Sequence, residues 1–320
     1  MQIFERGRHI HAEKTNRPRG GLLGRIWKKR ALYCMLAIPL ALLVIFKYLP
    51  IYGVQIAFRD YLPGRSIAES PWVGWKYFVK FFSGVKFWPV LRNTLAIGLY
   101  SVAVFPCAVI LALGLNYLPS KGFRKTVQMI SYLPHFITTV VMCSIILQFF
   151  DAKNGMFNAL TAVFGVAPKN YMGDAGAFYH IYIWTSVWQD VGYASIIYVA
   201  ALAGISTELH EAAIIDGATI LQRIWYVDLP GILPTICIML IMRCGQVLNV
   251  GYEKVYLLQN AMNLNASEVI NTYVYKQGLS SGLPQYSLAT AIGLFVSMVN
   301  LIVLAAVNRL SASVSGNSLW

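Results

Sequence analysis

The sequence predicts an all-α integral membrane protein with six transmembrane helices. Of its 320 residues 57% are hydrophobic and only 12% are charged, whereas a soluble domain carries about 25% charged residues. The apolar residues also gather into runs long enough to cross a bilayer, which takes roughly 20 residues. A very apolar soluble helical bundle is the alternative, but whole helices here would lack the polar face that such a bundle needs.

The six predicted spans are separated by loops of unequal length. They cover residues 31–49, 91–116, 126–149, 178–204, 230–250 and 284–308. Pro106 and Pro134 fall inside two of these spans. Both prolines are compatible with a transmembrane helix because neighbouring helices can satisfy the carbonyl groups that proline leaves unpaired.

The charge pattern orients the spans. The net charge is +13, and residues 1–30 are rich in Lys and Arg. Such a segment before an apolar run stays in the cytoplasm, so six spans place both termini there. The segment also suits anionic lipid headgroups, and a nucleic-acid-binding arm is the less favoured interpretation. The predicted inner loops are 117–125 and 205–229, and the outer loops are 50–90, 150–177 and 251–283.

Two outer segments have informative compositions. Segment 71–89 is aromatic and basic, which predicts a short helix at the outer membrane interface. Loop 251–283 is long for a connection between two helices, and long ordered loops are often functional. We therefore expect this loop to offer a docking surface to an external partner.

The inner loop 205–229 has the composition of a helix and not of a simple connector. Ser206 or Thr207 can cap the helix, and Glu208 follows in the first turn, where the helix dipole favours acidic residues. Gly217 permits a bend or a close approach. Pro230 begins the next span, where its missing N–H has no cost. The pattern predicts a short helix that lies across the inner surface and is joined to two spans.

This loop resembles a known motif. The sequence Glu211-Ala212-Ala213, then Asp216-Gly217-Ala218, then Leu229-Pro230 is similar to the EAA loop of binding-protein-dependent ABC importer permeases. The resemblance implies the type I importer permease fold, with a cytoplasmic coupling helix that fits a groove on an ATPase subunit and a glutamate, Glu211, that bonds there. We call residues 205–230 the coupling segment.

The resemblance extends over most of residues 30–310. Segments 48–61, 132–135 and 272–278 are similar to carbohydrate-importing permeases, and most similar to the branch for oligosaccharides and polysaccharides that includes an alginate importer. The resemblance divides the chain into a basic cytoplasmic segment (1–30), a transmembrane permease domain (31–310) and a cytoplasmic tail (311–320). It implies a multi-pass location in a bacterial inner membrane.

The resemblance also implies partners. The complete machine would contain a second permease subunit of different sequence, an ATPase dimer and an extracytoplasmic solute-binding protein. This chain has no G-x-x-x-x-G-K-[S/T] loop, so ATP and Mg²⁺ are expected on the ATPase subunits. It also has no H-E-x-x-H and no C-x-x-C pair. We therefore expect no catalytic residue, cofactor or metal site in this chain.

Two ionisable residues are predicted to lie near mid-membrane. Asp190 falls inside the fourth span and Arg243 inside the fifth, and a rise of about 1.5 Å per residue places both well away from the helix ends. Ionisable groups in a span are costly and are usually functional. Two interpretations remain open: a buried structural pair, or groups that line the translocation pathway.

Helical spacing and the resemblance add candidate pathway residues. Tyr193 lies three residues after Asp190, and Gln246 and Asn249 continue a face that begins at Arg243. In the maltose-type permease, a tyrosine that touches sugar precedes the EAA glutamate by the spacing that separates Tyr193 from Glu211. The stretch Asn249–Tyr252 resembles a second sugar-contacting region. Trp184 and Trp188 could stack on sugar rings, but lone aromatics more often contact lipid or core.

These features predict the transmembrane subunit of an ATP-driven importer for an oligosaccharide or polysaccharide, such as acidic alginate. An ion-coupled secondary transporter is the main alternative, and it would usually show inverted repeats or paired broken helices. An intramembrane enzyme would need a nucleophile or metal cluster in the spans, and the sequence offers none.

Overall fold

The computed structural model describes residues 29–280, 282–316 and 318–319, so nearly all of the basic segment 1–30 lies outside the described residues. The described chain is helical, and its extended pairing is a single bridge between Arg59 and Trp72. The predicted all-α fold is confirmed for these ranges. The chain divides into two units between Gly53 and Val54.

A long apolar helical run begins in the first unit and ends at Phe58, just beyond Gly53. Helix α1 (Arg30–Leu43) continues through a π-helical turn, Val44–Tyr48, into a 3₁₀ segment, Leu49–Phe58. The helical run is longer than the predicted span 31–49, and none of its apolar window is buried. The side chains are exposed from Arg30 to Tyr52, which suits a hydrocarbon environment.

The remaining helices lie in the second unit. They are α2 (Lys76–Phe82), α3 (Phe87–Ala103), α4 (Pro106–Asn116), α5 (Lys121–Tyr132), α6 (Thr139–Phe149), α7 (Met156–Ala162), α8 (Ala175–Ala203), α9 (Thr207–Ile215), α10 (Ile220–Arg223), α11 (Leu229–Cys244), α12 (Tyr252–Leu258), α13 (Leu264–Ser267), α14 (Ile270–Tyr275) and α15 (Tyr286–Ser315).

Four helical runs among the described residues are long and apolar enough to cross a membrane, and two bent pairs raise the number to six if each pair is one span. One pair bends by 99° after Phe136, and the other bends by 74° between α8 and α9. The first bend follows Pro134, which lies in a 3₁₀ turn, Leu133–Phe136. The chain therefore turns sharply where the sequence predicted one interrupted helix.

Several predicted boundaries are wrong. The fifth span begins at Ile220 and ends at Cys244, because Thr219 and Gln222 form a capping box that starts the helix early. Segment 251–283, predicted as a long ordered outer loop, contains helices. It folds into α12, α13 and α14, and Val255, Val269 and Ile270 are fully buried.

The aromatic segment 71–89 contains the predicted short helix, α2. Tyr77, Phe78 and Phe81 of this helix are buried against Leu288 and Ile292 of α15. Tyr77 also donates a hydrogen bond to Asp60. The segment is thus part of a packed core, which its aromatic and basic composition alone did not reveal.

Candidate functional site

A compact polar cluster forms on α8 near the 99° bend. His135 Nδ1 lies 2.9 Å from Asp190 Oδ1, and the His135 ring stacks on Tyr193 with centroids 3.9 Å apart and planes 5° from parallel. The structure therefore brings together the two residues that helical spacing placed on one face. Sequence reasoning assigned no role to His135, although its position beside Pro134 inside a span was a usable signal.

A glycine allows this cluster to form. An added Cβ at Gly192 would lie 2.0 Å from the carbonyl oxygen of Ser131, so α8 and the end of α5 approach as closely as backbone atoms permit. The bend after Pro134 then carries His135 over Tyr193. Gln189 Nε2 also donates to the Ile137 carbonyl oxygen at 3.0 Å, which fixes the chain on the far side of the bend.

Asp190 and Arg243 do not form a buried ion pair. In the described part of the chain the side chain that contacts the Asp190 carboxylate is His135, and the Asp190 side chain is 57% exposed. Asp190, Arg243 and Gln246 nevertheless line one cavity of about 350 Å³. This geometry does not match a buried structural pair. The three side chains instead surround a shared cavity.

A second polar row follows the end of α11. Asn249 Nδ2 donates to Gln246 Oε1 at 2.9 Å, and Asn271 Nδ2 donates to Asn249 Oδ1 at 3.0 Å. The Tyr252 ring stacks beside Tyr275 with centroids 5.3 Å apart. All five side chains line a cavity of about 870 Å³. We call these residues the amide–tyrosine row.

The turn after α11 that carries Gln246 and Asn249 packs closely against α3. A Cβ added at Gly98 of α3 would lie 2.0 Å from the carbonyl oxygen of Val247. Gln246 is exposed on the same turn and belongs to the linings of both cavities. The space around Asp190 and the space around the amide–tyrosine row are therefore adjacent at Gln246.

Lys254, which the sequence analysis did not single out, also faces the cavity beside Asp190. Lys254 of α12 is only 8% exposed, and its Nζ donates to Ser186 Oγ at 2.7 Å and to the Tyr182 carbonyl oxygen at 3.5 Å. It shares a cavity of about 460 Å³ with His135 and Asp190. The sequence placed Lys254 in an outer loop, and no local pattern indicated that this loop folds back onto α8.

Trp184 and Trp188 lie elsewhere. They line a separate cavity of about 650 Å³ with apolar and aromatic neighbours, and Trp184 Nε1 donates to the Tyr100 hydroxyl at 2.9 Å. Neither tryptophan lines the cavities that hold Asp190 and the amide–tyrosine row. The interpretation as lipid or core contacts fits this placement.

The coupling segment has the helix that its sequence predicted. The Ser206 hydroxyl accepts a hydrogen bond from the Glu208 backbone N–H and caps α9. Gly217 has φ +76°, and Ala218 N bonds to the Ala213 carbonyl oxygen at 2.9 Å. This is the turn that ends a helix with a left-handed residue. It explains the spacing of Gly217 from Glu211, since the glycine determines where α9 stops.

The surface of the coupling segment is exposed and largely apolar. Of the residues in the motif, Ala213, Ala218 and Leu229 are half-buried and the others are exposed: Glu211, Ala212, Asp216, Gly217 and Pro230. Large apolar side chains surround them, namely Leu209, Ile214, Ile215, Ile220, Leu221, Trp225 and Tyr226. Such an accumulation of exposed apolar groups usually marks a protein interaction site. We call this set of side chains the coupling surface.

Comparison with known proteins gives consistent matches. Residues 104–316 match the family described as binding-protein-dependent transport system inner membrane component. The chain is 38% identical over 290 residues to Protein LplB of Bacillus subtilis, covering 90% of this chain and 91% of the relative. It is also 38% identical to the polygalacturonan/rhamnogalacturonan transport system permease protein YteP of the same organism, covering 91% and 90%.

The fold is also similar to chains of solved ABC transporter structures. One match is the crystal structure of a bacterial ABC transporter involved in the import of the acidic polysaccharide alginate, with a TM-score of 0.84 and 35% identity, covering 92% of this chain and 99% of the matched chain. A second match is a bacterial alginate ABC transporter in complex with an alginate pentasaccharide-bound periplasmic protein, with a TM-score of 0.84 and 34% identity, covering 93% and 99%.

Proposed function

Since this chain belongs to the family of binding-protein-dependent transport system inner membrane components, we propose that it forms half of the pathway through which an ATP-driven importer moves an oligosaccharide or polysaccharide. The observation that carries the proposal is a set of exposed polar side chains, namely Asp190 and Tyr193 on α8 and Gln246 and Asn249 just after α11. Polar groups facing lipid are costly. These polar groups avoid lipid if their surface faces a second permease subunit, with the substrate held between the two permease subunits.

The side chains of the pathway suit a saccharide. The amide–tyrosine row offers donors and acceptors for hydroxyl groups beside the stacked rings of Tyr252 and Tyr275. A few polar groups placed among aromatic side chains are typical of sites for small ligands. Two relatives are named for transport of polygalacturonan and of alginate, which supports a polymer of sugar acids as the substrate.

The charges favour an acidic substrate. Lys254 and Arg243 contribute two cations to the cavities around Asp190, and Asp190 is already bonded to His135. The hydrogen-bond partners of Lys254 within the described residues are neutral oxygen atoms. A carboxylate of the substrate would therefore meet a net positive field.

The coupling surface is proposed to dock on the ATPase dimer, with Glu211 bonding in its groove. ATP and Mg²⁺ would bind to those partner subunits, and this chain itself would bind neither. Closure of the ATPase dimer would move α9, and the spans would then open outward to receive substrate from an external binding protein. From the charge pattern we also propose that both termini lie in the cytoplasm and that the basic segment 1–30 binds anionic lipid headgroups.

Purification from native membranes tests this assignment. A tagged copy of the chain, extracted in mild detergent, should retain an ATPase and a second permease of different sequence in stoichiometric amounts. As a control, a chain with the exposed apolar residues Leu221 and Trp225 replaced by serine should lose the ATPase and keep the second permease. Recovery of the wild-type chain without any ATPase, under conditions where it still transports, would point to the ion-coupled secondary transporter instead.

A further inference from the structure

Asp228 is a fully buried carboxylate at the point where the coupling segment returns to the membrane. It ends the π-helical turn Ile224–Asp228, directly before α11, and is 0% exposed. The Tyr117 hydroxyl, just beyond the end of α4, donates to Asp228 Oδ2 at 2.6 Å. His210 Nε2, from α9, lies 3.3 Å from Oδ1. One carboxylate at the start of α11 therefore contacts two further elements, the end of α4 and helix α9.

The geometry of the two contacts differs. The bond from Tyr117 is short and well formed, whereas the His210 contact is within ion-pair distance but outside hydrogen-bond geometry, so Asp228 Oδ1 has no hydrogen bond among the described residues. The Arg223 guanidinium lies 5.3 Å from the Tyr117 ring centroid and adds a positive charge nearby. Burial of a carboxylate is costly unless its neighbours compensate, so the position of each neighbour affects the others.

Two neighbouring residues of α9 face different surroundings. Adjacent helical residues are about 100° apart around the axis. Glu211 is exposed on the coupling surface, and the preceding residue, His210, has a side chain only 22% exposed that faces Asp228. The exposed Glu211 and the His210 contact with Asp228 therefore lie on the same turn of α9.

The covalent connections of α9 would not transmit such a load by themselves. The helix begins after a 74° bend and ends in the turn at Gly217, where φ is +76°. A helix joined only through turns at its two ends can rotate about them. The contact with Asp228 lies between these ends and connects α9 to the end of α4 and the start of α11, which restricts that rotation.

We propose that Asp228 is the joint that transmits movement of α9 to α4 and α11. It is a positioning residue and does not touch the ATPase or the substrate. The inference rests on the proposed coupling function and extends it, because it identifies how the displacement at the coupling surface reaches two spans at once.

The test measures saccharide imported per ATP hydrolysed by the complete complex in proteoliposomes, with Asp228→Asn, Tyr117→Phe and the double variant. Each single variant should keep ATP hydrolysis and lower the import-to-ATP ratio about 10-fold, which is the size expected for loss of one hydrogen bond to a charged group. The double variant should fall by little more than either single variant, because Asp228→Asn removes the charged acceptor and Tyr117→Phe removes the donor of the same charge-assisted hydrogen bond. Tyr117→Phe leaves the carboxylate in place, so it remains informative if Asp228→Asn does not assemble.

Asp60→Asn is the matched control. Asp60 also accepts a hydrogen bond from a tyrosine, Tyr77, but it lies in the segment predicted to face outward, so its ratio should stay at the wild-type value. Wild-type ratios in both Asp228→Asn and Tyr117→Phe would overturn the inference. A proportional loss of import and hydrolysis would also overturn it, since it would indicate a merely structural role. A wild-type complex that imports without hydrolysing ATP would overturn the proposed function as well.

Discussion

Replacement of Gly192 by alanine should disrupt the contact between α8 and the end of α5. The new Cβ would lie 2.0 Å from the Ser131 carbonyl oxygen and 2.3 Å from its carbon. Both are backbone atoms, so a side-chain rotation cannot relieve the clash. The two segments must separate by roughly 1.5 Å to restore ordinary van der Waals contact.

The separation acts directly on the polar cluster. His135 follows Ser131 by one helical turn, and its Nδ1 bonds to Asp190 Oδ1 at 2.9 Å. A displacement of about 1.5 Å would stretch this contact beyond hydrogen-bond range and would open its 3.9 Å stack on Tyr193. Overpacking of this kind costs about 1–3 kcal/mol. If that cost falls on the transport-competent state, import slows by about 5- to 150-fold.

The assay is ATP-dependent saccharide uptake by reconstituted complex, normalised to the amount of assembled complex. Gly114→Ala is the matched control, because a Cβ added at this helical glycine meets nothing within 4 Å. The control should import at the wild-type rate. Wild-type import by both variants would refute the argument that this close approach positions the pathway cluster.

Four further variants test the charges and the coupling surface. Arg243→Gln and Lys254→Met should each raise KM for an acidic oligosaccharide about 10-fold while leaving uptake of a neutral one of equal length unchanged; equal loss for both sugars would indicate a structural role. Glu211→Ala should lower import at least about 10-fold with the chain still inserted, as measured by uptake against membrane content. Gly217→Ala should cost about 1–2 kcal/mol of local strain and reduce import. Gly165→Ala, which has the same φ of +76° in a predicted outer loop, should leave import unchanged. Similar uptake by the two alanine variants would contradict the coupling role of Gly217.

The sequence predicted those features that depend on local periodicity. Apolar runs located the spans, and the spacing of Gly217 from Glu211 located the end of α9, because a left-handed residue must follow the last turn. Asp190 and Tyr193 were identified for the same reason, because their spacing of three residues puts them on one face of a single helix.

The features that escaped prediction depend on distant parts of the chain. His135 reaches Tyr193 only through the direction of the 99° bend, and hydropathy does not specify that direction. Lys254 reaches Ser186 because residues 251–280 fold back as helices, which their length alone did not indicate. Asp228 preceded Leu229-Pro230 in the motif without showing that Tyr117 and His210 would converge on it.

The most direct test of the central claim is uptake by proteoliposomes that contain this chain, its partner permease and the ATPase subunits, with the external binding protein supplied outside. A labelled acidic oligosaccharide should accumulate inside only when ATP is enclosed with the ATPases and the binding protein is present. A proton or sodium gradient should not replace ATP. Accumulation driven by an ion gradient without ATP would contradict the account.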